Sequence, residues 1–350
     1  MNVFILNPQF VRIGVIDNYE SLIWTTKYHN AGDFELYMPA DQAVFGLLAA
    51  GNYVMRETDT EELMLIETIR INTDEETGDH VTVSGRSSEA LMARRIVWEQ
   101  TNLSGDLAAC AGQLVTQNMI NPANSSRRVP GVSLGESSID TISIKKQITG
   151  DNLLDAEVDL LGTYRKGFRF RFDGSGLKFD VYQGTDRSAA QSAVPRVIFS
   201  SDYDNIVTSE YLYDTQAYAS VAVVAGEGEG TSRKRQVVGS GTGLNRFELY
   251  VDARDISSVT SSGTLTDSQY ADLLTARGEQ ALAEAQTVEA FSGTVEAQYS
   301  YVYGEDYFLG DIVQIVNDYG ASSAVRITAV TQAWDESGYT VIPAFDSEEV

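Results

Sequence analysis

The sequence predicts a mainly β protein with an α/β insert, α+β overall, in which two β-barrel-like domains flank the inserted module. Three observations predict it. Short alternating segments separated by turn residues fill positions 1–84, the apolar period becomes helical within 98–190, and alternation returns from Val197, broken by one long helix. The expected division is a β domain over 1–97, an inserted α/β module over 98–190, and a second β domain over 191–350 with its helix at 266–286. A chain of 350 residues with 43% apolar content is long for one domain and rich enough for real cores.

In the first domain the expected strands are Val11–Ile16, Leu22–Tyr28, Asp33–Met38 and Tyr53–Arg56. A long hairpin, Glu62–Asn72 with Asp79–Ser84, follows around the turn Thr73–Gly78. Phe34, Leu36 and Met38 share one face of their strand, Asp33, Glu35 and Tyr37 the other, and Pro39 ends it. Asp41–Leu48 reads as a short helix with Asp41 at its positive dipole end. Gly85–Val97 changes period: Ser87 or Ser88 can cap a helix carrying Ala90, Leu91, Arg94 and Arg95. The two arginines suit either a partner subunit's carboxylates or a solvated helix end.

The insert opens with a helix expected over Asn102–Ile120, its stripe Leu107, Cys110, Ala111, Leu114, Val115 and Met119, stopped by Asn121-Pro122. Ser125–Gly135 reads as loop. A second helix spans Asp151–Leu161, and a hairpin pairs Phe168–Phe172 with Leu177–Tyr182 around Asp173–Gly176. Arg169 and Arg171 lie opposite the three phenylalanines and read as plain surface.

Beyond the insert, Ile198–Ser200, Val207–Tyr213 and Ala219–Val224 read as strands, with Arg235–Val238 and Arg246–Val251 as further candidates. The glycine-rich run Ala225–Thr231 lacks a Gly-Lys-Ser/Thr ending, precedes no helix and carries two glutamates, so it reads as a mobile hairpin tip and not a phosphate loop. Thr266–Gln286 is the clearest helix: Thr266 caps it, Asp267 follows, and Tyr270, Leu273, Leu274, Ala281, Leu282 and Ala285 form a stripe that can plug or flank a barrel. Ala290–Val302 and Ile312–Pro343 supply the closing strands, ahead of an acidic tail, Asp346–Glu349. Within Tyr301–Arg326, Ile312, Gln314 and Val316 share one face and Val313, Ile315 and Asn317 the other. A strand apolar on both faces belongs inside a barrel or beneath an interface.

Chemistry is conspicuous by what is missing. Fifty acidic against 25 basic residues give −25, which opposes ordinary nucleic-acid binding and suits solubility first and a DNA-repelling channel second. Cys110 stands alone, so no internal disulfide or multi-cysteine metal site exists. His29 and His80 lie in neither a HExxH nor a Cys/His cluster. The acidic turn Thr73–Asp79 lacks the glycine placement and terminal glutamate of a calcium loop. No basic, apolar leader opens the sequence, and runs such as Ala43–Ala50 fall far short of a membrane span. No catalytic, cofactor or metal residues are expected.

Four motifs in order carry a resemblance: Gly32-Asp33-Phe34-Glu35-Leu36 with Pro39; Gly85-Arg86-Ser87-Ser88-Glu89-Ala90-Leu91 with Arg94-Arg95; Val224 through Gly230 with Arg233; and Tyr307-Phe308-Leu309-Gly310-Asp311-Ile312-Val313. Together they resemble the tail-hub proteins of long-tailed siphophages and prophages, related in fold to the hubs of contractile-tail baseplates. The resemblance implies a non-enzymatic structural protein of the virion tail tip, made in the host cytoplasm. It implies a homotrimer whose paired β domains make a pseudo-sixfold ring between the sixfold tail tube and the threefold tip, decorated by the α/β insert. The implied partners are the tail tube or distal tail protein, the tape-measure protein, tip or receptor-binding proteins, and DNA only in transit, with no cofactor. Interface candidates on this reading are Phe34, Arg86, Arg94, Arg95, Tyr307, Phe308, Asp311 and Ile312. Many relatives carry C-terminal wall-cleaving or receptor-binding extensions; this sequence stops soon after Pro343, so on this reading wall digestion and host recognition, if needed, are expected of other tail proteins. Two rival readings stand beside it: a glycan- or receptor-binding module with a cleft of Trp24, Trp98, Trp334 and tyrosines, and a carboxylate-only cell-wall glycosidase.

Overall fold

A computed structural model describes residues 1–74, 78–203, 205–260, 263–295 and 301–347. The tip of the expected Thr73–Gly78 turn, positions 296–300 of the expected strand Ala290–Val302, and the last three residues of the chain lie outside the described residues.

The N-terminal strands are β1 (Val3–Leu6), β2 (Arg12–Ile16), β3 (Ser21–Lys27), β4 (Asp33–Pro39), β5 (Tyr53–Arg56), β6 (Leu63–Asn72) and β7 (His80–Ser87). They hydrogen-bond in the order β3-β4-β7-β6-β5-β1-β2, antiparallel at every step. The alternation read in β4 holds: Phe34, Leu36 and Met38 enter a core with Trp24, Val54, Ile66 and Val83. The β1 strand was not foreseen, because its four residues show no alternation to read. Helix α1 is a single turn, Gln42–Phe45, shorter than Asp41–Leu48; Leu47 and Leu48 instead donate three residues back, to Val44 and Phe45. Ser88–Arg94 winds as a 3₁₀ helix. Ser87 does not cap it, since its hydroxyl accepts from the Gly32 amide at 2.8 Å.

Residues 98–190, the expected insert, contain β8 (Thr101–Asp106), α2 (Leu107–Val115), β9 (Val132–Ser138), β10 (Ser143–Ile148), α3 (Leu153–Thr163), β11 (Gly167–Phe172) and β12 (Leu177–Tyr182). The helix expected from Asn102 starts only at Leu107, and the residues before it form β8 against β10. Thr101 and Leu103 are buried in alternation, while Gly105 turns through φ 126° before Asp106 accepts from Ala109 and caps α2. The expected loop Ser125–Gly135 contains a 3₁₀ turn, Ser125–Arg127, and the start of β9, which runs parallel to β12. The β11–β12 hairpin has the expected ends. Arg169 is exposed, as expected, and Arg171 is half-buried; both reach the buried Asp180, at 3.4 and 2.6 Å.

The remaining elements are β13 (Ile198–Ser200), β14 (Ile206–Asp214), β15 (Val221–Ala225), β16 (Arg235–Gly239), β17 (Glu248–Asp252), β18 (Val259–Thr260), β19 (Gly263–Thr264), α4 (Asp267–Glu284), β20 (Val288–Val295), β21 (Ile312–Val316), β22 (Ser322–Asp335) and β23 (Gly338–Ser347). Strand β22 organises the molecule. Its first residues pair with β21, Ala329–Trp334 pair with β3, and β23 runs along its other edge. Strands from both ends of the sequence thereby form one sheet, eleven-stranded among the described residues. A second core, with Phe199, Tyr307, Val313, Ile315, Val325 and Ile327, fills the C-terminal side. In β21 the faces do differ: Val313 and Ile315 are buried, Ile312, Gln314 and Val316 only half-buried.

Helix α4 starts at a full capping box, Gln269 N donating to Thr266 Oγ1 and Thr266 N to Gln269 Oε1. It flanks the small sheet β16-β15-β17, where the absence of a Cβ at Gly278 lets it approach Val224 and Val238. The glycine-rich run is a tied turn: Arg233 donates to Gly226 O at 2.9 Å and Ala225 O at 2.7 Å, and the Glu227 amide donates to Tyr270 Oη at 2.8 Å.

Candidate assembly surfaces

The sequence-selected residues fall into buried clamps and exposed faces. Gly310-Asp311 is the centre of one clamp. Gly310 holds φ 90° with the Tyr28 ring against its open side, which only glycine tolerates. Asp311 is 2% exposed and accepts from Thr185 N at 2.7 Å, Phe308 N at 3.0 Å and Arg187 Nε at 2.7 Å. It therefore ties the segment that leaves the insert to the closing strands. Arg326 Nη1 supports the same turn by donating to Gly310 O at 2.7 Å. Tyr307 is fully buried against Phe199, and Phe34 is enclosed in the N-terminal core. These three side chains face the interior of their own chain.

Five candidates retain surface. Phe308 is 44% exposed, with the Arg187 guanidinium 5.8 Å from its ring centroid. Ile312, the first residue of β21, is half-buried. Arg86 forks onto Glu67 with two 2.8 Å bonds, and this pairing holds the Glu67 carboxyl below its ordinary range. Arg94 is exposed, and Arg95 donates to the Arg127 carbonyl at 2.8 Å and the Arg94 carbonyl at 2.9 Å.

A second clamp gave no sequence signal. Arg56, 3% exposed, sits between Trp24 and Trp334, donates to Gln332 and pairs with Asp59 and Glu62. Glu62 also accepts from Trp24 Nε1 at 2.7 Å and Thr26 Oγ1 at 3.1 Å, and burial raises its carboxyl. Arg56 thus binds β5, β3 and β22 across the seam where the two ends of the chain meet; its partners are up to 276 residues away, beyond any local pattern.

The three tryptophans do not line one cleft. Trp24 is buried and Trp334 packs on Tyr339, the two flanking Arg56, while Trp98 stands 59% exposed beside Arg127. A polar cleft of about 300 Å³ lies between α3, α4 and β22, lined by Tyr28, His29, Asp159, Arg165 and Arg326 among others. Burial pushes the His29 imidazole below its ordinary value. Among the described residues no group of His, Cys, Asp and Glu is placed to hold a metal ion.

Two carboxyls are buried where the insert joins. Glu89 accepts from Phe170 N at 2.6 Å and burial pushes it to about 7. Glu157 on α3 is fully buried, neither of its oxygens has a hydrogen-bond partner, and burial pushes it well above the ordinary range against the pull of Lys146.

With this geometry in place, known proteins supply a frame. No curated protein matches the sequence. Among solved structures, the chain is similar to a tail protein from Neisseria meningitidis (14% identity, TM-score 0.60, 99% of this chain and 96% of that one). It is also similar to the 43 kDa tail protein of prophage MuSo2 from Shewanella oneidensis (13%, 0.62, 99% and 98%). A chain of the Francisella PdpA-VgrG complex matches at 10% identity and TM-score 0.51, over 100% of this chain and 58% of that one. The likenesses share the fold. The sequence itself matches the family described as Siphovirus ReqiPepy6 Gp37-like protein over residues 2–345, and the chain belongs to that family of phage tail proteins.

Proposed function

We propose that the protein is a structural hub subunit of the phage tail tip. Three copies form a pseudo-sixfold ring that joins the tail tube to the tip and lets the tape-measure protein and DNA pass. The observation that carries this reading is the continuous sheet through β22, locked by the Arg56 and Asp311 clamps. A subunit that serves two of six positions around a tube needs two β regions fixed relative to each other, and a shared strand with buried ion pairs supplies that rigidity. The fold likeness to phage tail proteins over nearly the whole chain supports it, and the likeness to a chain of a VgrG complex suits a place near spike or tip components.

The net charge of −25 suits a passage that releases DNA. The reading has no enzymatic step, and the dispersed tryptophans favour no glycan cleft. Tail-tube or distal tail protein, tape-measure protein and receptor-binding proteins are the proposed partners. Phe308, Ile312, the exposed Arg86 and Arg94 and the half-buried Arg95 are the proposed contact residues. Negative-stain electron microscopy of the purified protein at high concentration tests this: particles should average to a threefold ring with a central hole, and Phe308→Asp should reduce them. Uniform particles of single-chain size would overturn the proposal.

A further inference from the structure

Near Trp98 the structure gathers arginines that form no ion pair among the described residues, although the charge of Arg94 also reaches the Glu67 carboxyl that Arg86 holds. Arg95 reaches the Arg127 carbonyl at 2.8 Å. Arg127 in turn donates to Ile96 O at 2.7 Å and Asn118 Oδ1 at 3.3 Å, with its guanidinium 5.1 Å from the Trp98 ring centroid. Asn118 is fixed by its own bond to Leu114 O and also accepts from the Trp98 amide at 3.2 Å. Arg94 and Arg128 adjoin this network and are exposed. Among the described residues none of the four arginines forms an ion pair, and Glu99, in the same segment, joins none of them. By contrast Arg56, Arg86, Arg171, Arg187, Arg233 and Arg254 each hold a carboxylate. Arg12, Arg70, Arg196 and Arg235 also lack an ion pair among the described residues but stand apart from one another in the sequence, so in a chain of −25 this cluster is a concentration of unpaired positive charge.

The patch also has an apolar centre, Trp98 at 59% and Ile96 at 41% exposure. An exposed tryptophan against one arginine, with further arginines adjoining, is the composition of a binding hot spot. Burial and the positive charges of Arg127 and Arg94 already push Arg95 below its ordinary range, a cost that an approaching anion relieves.

We propose that this patch is the face on which a second copy of the chain docks, by its acidic surface, in a head-to-tail contact. The inference rests on the ring reading and deepens it. Two molecules of this charge repel in most orientations, so the basic patch sets the orientation in which they attract. Patch against patch would bring both arginine clusters together and is repulsive. The contact therefore joins unlike surfaces, and a repeated contact of that kind closes into a ring where a like-on-like contact stops at a dimer.

Arg94 and Arg128 make no internal side-chain bond among the described residues, so R94E/R128E should leave the fold intact, checked by circular dichroism. Light scattering then gives the absolute mass of wild type, R94E/R128E and Trp98→Ala across salt concentrations. The expected result is a wild-type assembly that weakens with salt, a double variant of single-chain mass, and a dissociation constant raised about 30-fold or more by Trp98→Ala. Variants that assemble like wild type overturn the docking face while leaving the ring reading standing. If those variants also lose binding to a duplex DNA probe that wild type retains, the patch serves nucleic acid and the proposal falls. A wild-type mass of two chains contradicts the head-to-tail geometry, and a wild-type mass of one chain throughout overturns both readings.

Discussion

Replacing Asp311 by alanine should unfold the seam between the insert's exit and the closing strands. The side chain is 2% exposed, and its removal strips acceptors from the amides of Thr185 and Phe308 and the ion pair from Arg187. Breaking one side of such a buried pair costs about 3–5 kcal/mol, because the remaining cation and amides stay desolvated. Asn keeps the size and part of the accepting capacity, so Asp311→Asn should cost less, about 1.5–3 kcal/mol, mainly the charged bond to Arg187. Urea unfolding followed by tryptophan fluorescence reads this, since Trp24 and Trp334 lie in the same sheet as β21. Amide exchange at Thr185 and Arg187 should accelerate in parallel. An alanine variant within about 1 kcal/mol of wild type, or an asparagine variant worse than alanine, would refute the clamp. A variant that kept stability but failed to assemble would return Asp311 to the subunit contact.

Three further outcomes follow from the buried groups. Glu157→Met should stabilise the chain at pH 8 by about 1–3 kcal/mol in urea unfolding, because two unpartnered carboxyl oxygens leave the core; a loss of stability would reveal a missed partner. Glu89 is raised from 4.5 to about 7, so the folded state holds its proton more tightly than the unfolded state. Its contribution is complete below pH 4.5 and is lost as pH rises toward 7, by about 1.4 kcal/mol per unit; Glu89→Gln should remove that slope from a stability–pH profile, and an unchanged slope would contradict the assignment. Gly85→Ala should cost about 1–3 kcal/mol or more, since a Cβ there falls 1.9 Å from the Leu65 carbonyl oxygen on β6; an unaffected urea midpoint would show that β6 yields.

What the sequence made legible was local and periodic. Phe34, Leu36 and Met38 alternate, Thr266 reads as the cap of α4, and the β11–β12 hairpin announces itself by three phenylalanines and a glycine turn. Polar strands were hidden: β10 contains Lys145, Lys146 and Gln147, and Gln147 is buried only because Asn102 and the Ser257 backbone satisfy it. The stripe from Leu107 is real, but the helix does not extend back over 102–106, where Thr101 and Leu103 are buried in the alternation of β8.

The site was half legible for the same reason. Gly310-Asp311 stood within a motif, but its role depends on Arg187, more than a hundred residues earlier, and Arg56 depends on partners on β3, on β22 and in the loop before β6. Arg94-Arg95 stood out as a pair, whereas Arg127 and Trp98 join them only through the folded insert.

The absolute mass of the intact protein in solution, measured by light scattering over a range of concentrations, tests the central claim most directly. A hub subunit should approach three times the 38.3 kDa chain, with rings visible in the same fractions. A mass of one chain at every concentration, with no ring in any fraction, would contradict it.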